Sequence, residues 1–201
     1  MGGSRFDFGQ SIAVDSAGNV YTTGYFFNTV DFDPGAGTFN LTGSRDSDGF
    51  IQKLGASGNF LWAYAIDGDG FDVGESILVD NSGNAYITGH FDGVVDFNPD
   101  TGVTNISSGF VKNIFVQKLD AFGHLVWARS IGSDLTKEVG LASALDTFGN
   151  IYTTGVFYGT VDFDPDTGMT MLTSSGSVFQ DIFIQKVIKT HFKRLTILKY
   201  K

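Results

Sequence analysis

The stretch Ser11–Phe26 reads SIAVDSAGNVYTTGYF, and it recurs at Ser76 as SILVDNSGNAYITGHF and at Ala142 as ASALDTFGNIYTTGVF. Asp15, Asp80 and Asp146 hold equivalent places in the three copies, 65 and 66 residues apart. Two further landmarks follow at the same interval. VDFDPGAG at Val30 is answered by VDFNPDTG at Val95 and VDFDPDTG at Val161, and GFIQKL at Gly49 by IFVQKL at Ile114 and IFIQKV at Ile182. Three landmarks in constant order mark a chain of like units, each a supersecondary element that buries its apolar surface against its neighbours.

Within a unit, Ile12 and Val14, then Val20 and Thr22, alternate on either side of the D-x-x-G-N segment, which is the pattern of two strands joined by a tight turn. DGFIQKL forms a third strand, with Phe50, Gln52 and Leu54 on one face and Ile51 and Lys53 on the other. FLWAYAI from Phe60, with its counterpart LVWARSI from Leu125, supplies a fourth after a glycine turn at Gly58 or Gly123. Four antiparallel strands make one propeller blade, and the VDFDP segment becomes an excursion between the second and third strands. The fold class is therefore all-β, in three repeats: residues 1–75 as the first blade, 76–141 as the second and 142–187 as a partial third, with a divergent basic tail over 188–201. The Ile12 and Val14 positions are expected to pack between neighbouring blades. The same is expected of the recurring rings Phe26, Phe91 and Phe157, and Phe32, Phe97 and Phe163.

Composition agrees with short strands and tight turns, since the 201 residues include 27 glycines and 20 phenylalanines but only 3 prolines. The formal net charge of −9 is unevenly spread. Residues 186–201 hold 6 of the 13 basic side chains and no acid, which leaves 7 basic against 22 acidic groups, a net −15, on residues 1–185. Such a body repels phosphate backbones and anionic lipid, so nucleic-acid binding and membrane insertion are not expected of the repeats. No cysteine is present, and MGGSRFDFG at the N-terminus lacks the apolar core of a signal peptide.

The D-x-x-G-N-x-Y-x-x-G pattern, the D-x-F-x-x-K-L strand and the Gly/Asp-rich link between units resemble the bacterial β-propeller repeat family called SBBP, over essentially residues 2–187. The resemblance implies a secreted or cell-surface protein built from blades, often as part of a larger polypeptide. Propeller rings have four to eight blades, so three units are expected to need further blades or self-association. By spacing from Leu119, His191 falls where Gly123 stands and Leu195 where Trp127 stands, so the pattern breaks after Lys186.

Two sets of polar residues are candidate sites. Asp15, Gly18 and Asn19, with Asp80, Gly83 and Asn84 and with Asp146, Gly149 and Asn150, read as structural turns, because aspartate accepts backbone N–H bonds and Gly or Asn tolerates the left-handed conformation. The alternating acids Asp162, Asp164 and Asp166, and likewise Asp96, Asn98 and Asp100, could supply calcium with oxygen ligands. The competing reading is a solvated strand end turned by proline and an Asx bond, and it is favoured because Gly35 replaces the third ligand in the first unit. No other cofactor is indicated. The chain lacks G-x-S-x-G and H-E-x-x-H motifs and a phosphate-binding glycine loop. His90, His124 and His191 occupy non-equivalent positions, and His90 is expected to be a surface variant of Tyr25 and Val156. The resulting expectation is a non-catalytic extracellular module for a protein or glycan partner. Its rivals are part of a propeller hydrolase or lyase, and a structural spacer.

Overall fold

The computed structural model describes residues 2–44, 46–68, 70–133, 135–164, 168–176 and 179–187. Asp166, His191, Leu195 and the basic tail lie outside them. The first unit contains β1 (Gly2–Gly3), β2 (Phe8–Val14), β3 (Val20–Phe26), β4 (Thr29–Asp31), β5 (Asn40–Thr42), β6 (Asp48–Leu54) and β7 (Phe60–Ile66). The second contains β8 (Val73–Val79), β9 (Ala85–Phe91), β10 (Val94–Asp96), β11 (Asn105–Ser107), β12 (Asn113–Leu119) and β13 (Leu125–Ile131). The third contains β14 (Val139–Leu145), β15 (Ile151–Phe157), β16 (Thr160–Asp162), β17 (Met171–Thr173) and β18 (Asp181–Val187). Among the described residues there is no helix.

The long strands pair antiparallel in the orders β2-β3-β6-β7, β8-β9-β12-β13 and β14-β15-β18, two four-stranded blades and a three-stranded one. Each excursion folds into its own hairpin, β4-β5, β10-β11 or β16-β17. The second and third blades begin at Val73 and Val139, three residues ahead of the first recognisable repeat residues, Ser76 and Ala142. Those three residues include a β-bulge, which falls between Gly9 and Ser11, Gly74 and Ser76, and Gly140 and Ala142. A bulge adds one residue to its strand and so breaks the period-2 alternation, which is why the strand start is hidden from the pattern.

The blades stack face on face, the second between the other two. Tyr21, Ile51 and Ile66 of the first meet Ile77, Ile87 and Phe115 of the second in one core. The opposite face of the second, with Tyr86, Ile114 and Val116, meets Ile151, Phe157 and Phe183 of the third in another. The described sheets do not close into a ring, and this decides the exposure of equivalent residues. Ile77 is 2% exposed, whereas its counterpart Ile12 is 66% and Val14 58% exposed. The expectation that Ile12 and Val14 pack between blades thus fails for the first unit, because no sheet among the described residues covers that face.

The phenylalanine positions bind the excursion to the sheet. Phe32, Phe97 and Phe163 stand edge-on to Phe26, Phe91 and Phe157 at 5.4, 5.3 and 5.2 Å, with interplanar angles of 84°, 89° and 85°. They also lie 5.0, 5.1 and 4.9 Å from Phe50, Phe115 and Phe183. These are favourable geometries for aromatic quadrupoles. The packing is within a unit first, and blade to blade only where a neighbour exists: Phe97 belongs to the core shared with the first blade, but Phe32 only to a smaller cluster of its own unit. Phe97→Ala should accordingly cost about 3–5 kcal/mol and Phe32→Ala clearly less. Urea unfolding of the two variants checks this, and equal losses would contradict the difference in packing.

Candidate functional site

Antiparallel order fixes which loops share an end. The D-x-x-G-N turns and the turns at Gly58 and Gly123 lie at one end of the blades, whereas the excursions and the links between blades lie at the other.

At the turn end the polar residues are consumed by the backbone. Asp15 Oδ1 accepts the N–H groups of Ala17 and Asn19, both at 2.9 Å, while Oδ2 accepts Asn19 Nδ2 at 2.8 Å and the Tyr21 hydroxyl at 3.3 Å. Asp80 repeats this set with Ser82, Asn84 and Tyr86, and Asp146 with Phe148, Asn150 and Tyr152. Gly18, Gly83 and Gly149 have φ of 82°, 78° and 79°, the left-handed region that excludes most side chains. Burial raises the pKa of Asp80, but the bonds from the Asn84 side chain and from the backbone outweigh it and hold the carboxyl below its ordinary value. Asp120, at the start of a fourth such turn, accepts from the N–H groups of Phe122 and His124 in the same way.

At the loop end, the first acid of each excursion is an internal brace. Asp96 Oδ1 accepts the N–H groups of Asn98 at 3.0 Å and Thr104 at 2.8 Å, and Asp162 Oδ1 those of Asp164 at 3.0 Å and Thr170 at 2.8 Å. Asp31 does the same with Phe39 and Asp33, and those bonds hold its pKa down. The second polar residue makes an Asx bond: Asn98 Oδ1 accepts from Asp100 N at 3.0 Å, and Asp33 Oδ1 from Gly35 N at 2.7 Å. The terminal glycine lets the polar side chain lie close, since a Cβ at Gly37, Gly102 or Gly168 would press on the carboxylate or amide end of Asp33, Asn98 or Asp164. Finally, Gln52, Gln117 and Gln185 donate to the carbonyls of Phe32, Phe97 and Phe163 at 2.5, 2.7 and 2.9 Å. Among the described residues no three His, Asp or Glu side chains gather as metal ligands. Backbone N–H groups already face the acids that calcium would use. Millimolar calcium should therefore move the melting temperature no further than sodium chloride of equal ionic strength. A calcium-specific rise of several degrees, reversed by chelator, would show that the loops bind the ion.

A second set of acids pins the links, and the sequence pattern passes over it. Asp72 accepts from Gly68 N at 2.8 Å and Asp92 N at 3.1 Å, and Glu138 from Ser133 N at 3.1 Å and from the Thr136 hydroxyl. Both are fully buried, as is Asp48. The overlooked signal is an acid two residues before each bulge glycine: Asp7, Asp72 and Glu138 precede Gly9, Gly74 and Gly140. Burial, foremost, pushes Asp72 up to about 8 and Glu138 up to about 7. It also raises Asp48, whose neighbour Asp67 adds to the shift.

His90 is buried, contrary to its expected place on the surface. It lies under the loop end 3.7 Å from Glu75, which also accepts a 3.2 Å bond from Gln10 Nε2. Burial, then the Lys112 charge, lowers its pKa to about 4. The imidazole is thus neutral at pH 7, and the contact is not an ion pair. This arrangement is not repeated, since Gln10 and Leu141 replace Glu75, and Tyr25 and Val156 replace His90. Beside its buried acids Asp48, Asp72 and Glu138, the loop end exposes apolar side chains: Phe110 is 89%, Leu135 87% and Phe6 78% exposed, and Phe71 is half exposed beneath the Lys112 ammonium at 5.3 Å. Phe122 and Phe148 are exposed at the turn end.

Face-stacked antiparallel units of four strands define a β-propeller repeat protein. Residues 2–25 match the SBBP family, described as a beta-propeller repeat, and the other two units carry the same sequence landmarks. It is also 26% identical over 211 residues to an uncharacterized WD repeat-containing protein of Acanthamoeba polyphaga mimivirus. The match covers 92% of this chain but 15% of that protein, so the chain spans about a seventh of its relative's length.

The buried acids make stability depend on pH with a definite sign. Asp72 and Glu138 bind protons more tightly folded than unfolded, so the stability they support is intact below about pH 4 and is lost as pH rises towards 7–8. The turn acids act oppositely, and their contribution is lost as pH falls below about 4. Above about pH 6.5, where the neutral His90 no longer opposes the buried acids, the melting temperature should decline up to pH 8, and Asp72→Asn should flatten the decline. A melting temperature that rises over this range would contradict the assignment.

Proposed function

We propose that this chain is a non-catalytic interaction module, displayed outside the cell or on its surface, which engages a protein or glycan partner through the loop-bearing end of its blades. The observation that carries this reading is the exposure of Phe110, Phe6 and Leu135 at an end where Asp72 and Asp96 are bonded to their own backbone. Exposed rings offer apolar faces that stack on the C–H face of a sugar or on an aliphatic side chain. The Lys112 ammonium over Phe71 adds one positive group to an acidic body. Placement outside the cell is supported by the resemblance to the SBBP repeat family.

A second reading, a hydrolase or lyase, draws on the unrepeated Glu75–His90 pair, since a catalytic centre requires one asymmetric constellation. A neutral imidazole beside a carboxyl has the chemistry to move a proton. The binding reading is tested by probing a glycan array and intact cells with the chain and with a Phe6→Ser, Phe71→Ser, Phe110→Ser variant. The variant should bind at least tenfold more weakly with an unchanged melt, and undiminished binding would overturn the proposal. Turnover of a sugar polymer that is lost in His90→Ala would favour the enzyme instead.

A further inference from the structure

The two internal blade junctions are made by the same contacts. Thr23 of the first blade lies against Gly74 of the second, and Thr88 of the second against Gly140 of the third, so closely that a Cβ at either glycine would strike its neighbours. At the bulge, the N–H of Ile77 donates to Ser11 Oγ across the first junction, and the N–H of Ser143 to Ser76 Oγ across the second, both at 3.2 Å. Across the first junction the Tyr21 hydroxyl also donates to the Gly83 carbonyl at 3.1 Å and Lys53 Nζ to the Ala121 carbonyl at 2.9 Å. Both junctions thus set a threonine against a bulge glycine and a serine hydroxyl against a backbone N–H, and the first adds Tyr21 and Lys53 against the carbonyls of the facing turns.

The two outer faces carry the unmatched halves of this junction. On the third blade, Tyr152, Thr154 and Lys186 stand where Tyr21, Thr23 and Lys53 stand on the first. They are already arranged alike. Thr154 Oγ1 donates to the Phe183 carbonyl at 2.7 Å as Thr23 Oγ1 does to that of Phe50, and Lys186 Nζ lies 5.0 Å over the Tyr152 ring as Lys53 lies 4.8 Å over Tyr21. Ala142, Ala144 and Ile184 line a shallow apolar groove beside them. On the first blade, a Cβ at Gly18 would meet Ala56 at 3.1 Å, as one at Gly83 meets Ala121 at 3.2 Å, so the receiving turn has the same form. Gly9, the counterpart of Gly74 and Gly140, has nothing within 4 Å of where its Cβ would lie. Its neighbours Ile12 and Val14 stand exposed.

We propose that the third blade of one chain docks on the first blade of a second copy, Thr154 against Gly9 and Tyr152 against the Gly18 turn, and that two chains close head to tail into one six-bladed ring. Six blades lie within the range that closes, and a head-to-tail contact forms a ring when its rotation completes a turn. One departure distinguishes this junction: Ala142 replaces Ser11 and Ser76, so the N–H of Ile12 receives no hydroxyl acceptor. The pairing also brings two acidic bodies together, so it should tighten with salt.

Sedimentation velocity on the whole chain tests the proposal. The wild-type chain should be a dimer at micromolar concentration. Gly9→Val places its side chain in space that is open within its own chain but filled by Thr154 of the partner. It should keep the circular dichroism of the parent, and its melt when both are diluted to monomer, while dissociating at least tenfold more readily, and Thr154→Arg should do the same. Mixed one to one, the two variants should form a dimer, because each retains one sound face. A monomeric wild-type chain would mean that these faces await other blades and would overturn the pairing. So would larger open polymers, or a Gly9→Val chain that stays dimeric.

Discussion

A sheet that is apolar on both faces cannot stand alone in water, and this constraint governs every part of the molecule. Each blade must be covered twice, by a neighbour on either side. The second blade meets this condition, with Ile77 and Ile87 against one neighbour and Ile114 and Val116 against the other. Blades come close enough only because glycine occupies the bulge at Gly74 and Gly140, where the backbone of one blade meets a threonine of the next. The bulge frees a backbone N–H that the preceding blade's serine then accepts. A residue that would weaken a strand in isolation is thus what allows the strands to be stacked.

The same constraint explains where the charge goes. An acidic chain might be supposed to carry its carboxylates as a binding surface, yet the repeated acids serve the backbone. Asp15, Asp80 and Asp146 close the turns, Asp31, Asp96 and Asp162 brace the excursions, and Asp72 and Glu138 tie the links. Loops without regular pairing leave N–H groups that must find acceptors, and a carboxylate satisfies two or three at once. For VDFDPDTG this means that valine and phenylalanine anchor the segment in the core, the first acid holds the loop, and Gly168 leaves space beside the second acid.

The sequence carried the period, the four-strand unit and the turns, because each depends on local chemistry repeated three times. Four antiparallel strands and an excursion are legible from alternation at Ile12, Val14, Val20 and Thr22 and from Gly18. Other features arise from tertiary placement and leave no local trace. His90 has the same neighbours in sequence as Tyr25 and Val156, and its burial follows from the neighbouring Glu75 and Lys112 rather than from its own strand. The burial of Asp48 and Asp72 depends on the link lying over the end of the excursion, where Asp72 N donates to the Ser47 carbonyl. The bulge hid the first residues of β8 and β14 by breaking their alternation.

Departures from the repeat are more informative about function than the repeat itself. A residue common to all units is explained by what all units do, which is to fold and stack. One that differs between units must be explained by its position. The Glu75–His90 contact and the exposed ring of Phe110 are of this second kind. Gly9 is a third case, inverted: it is kept where its own chain gives it no neighbour. Glycine in a strand interior costs about 0.5–1 kcal/mol relative to alanine, and at Gly9 no close approach among the described residues offsets that cost. A stacking residue retained on an open face points to something that stacks there.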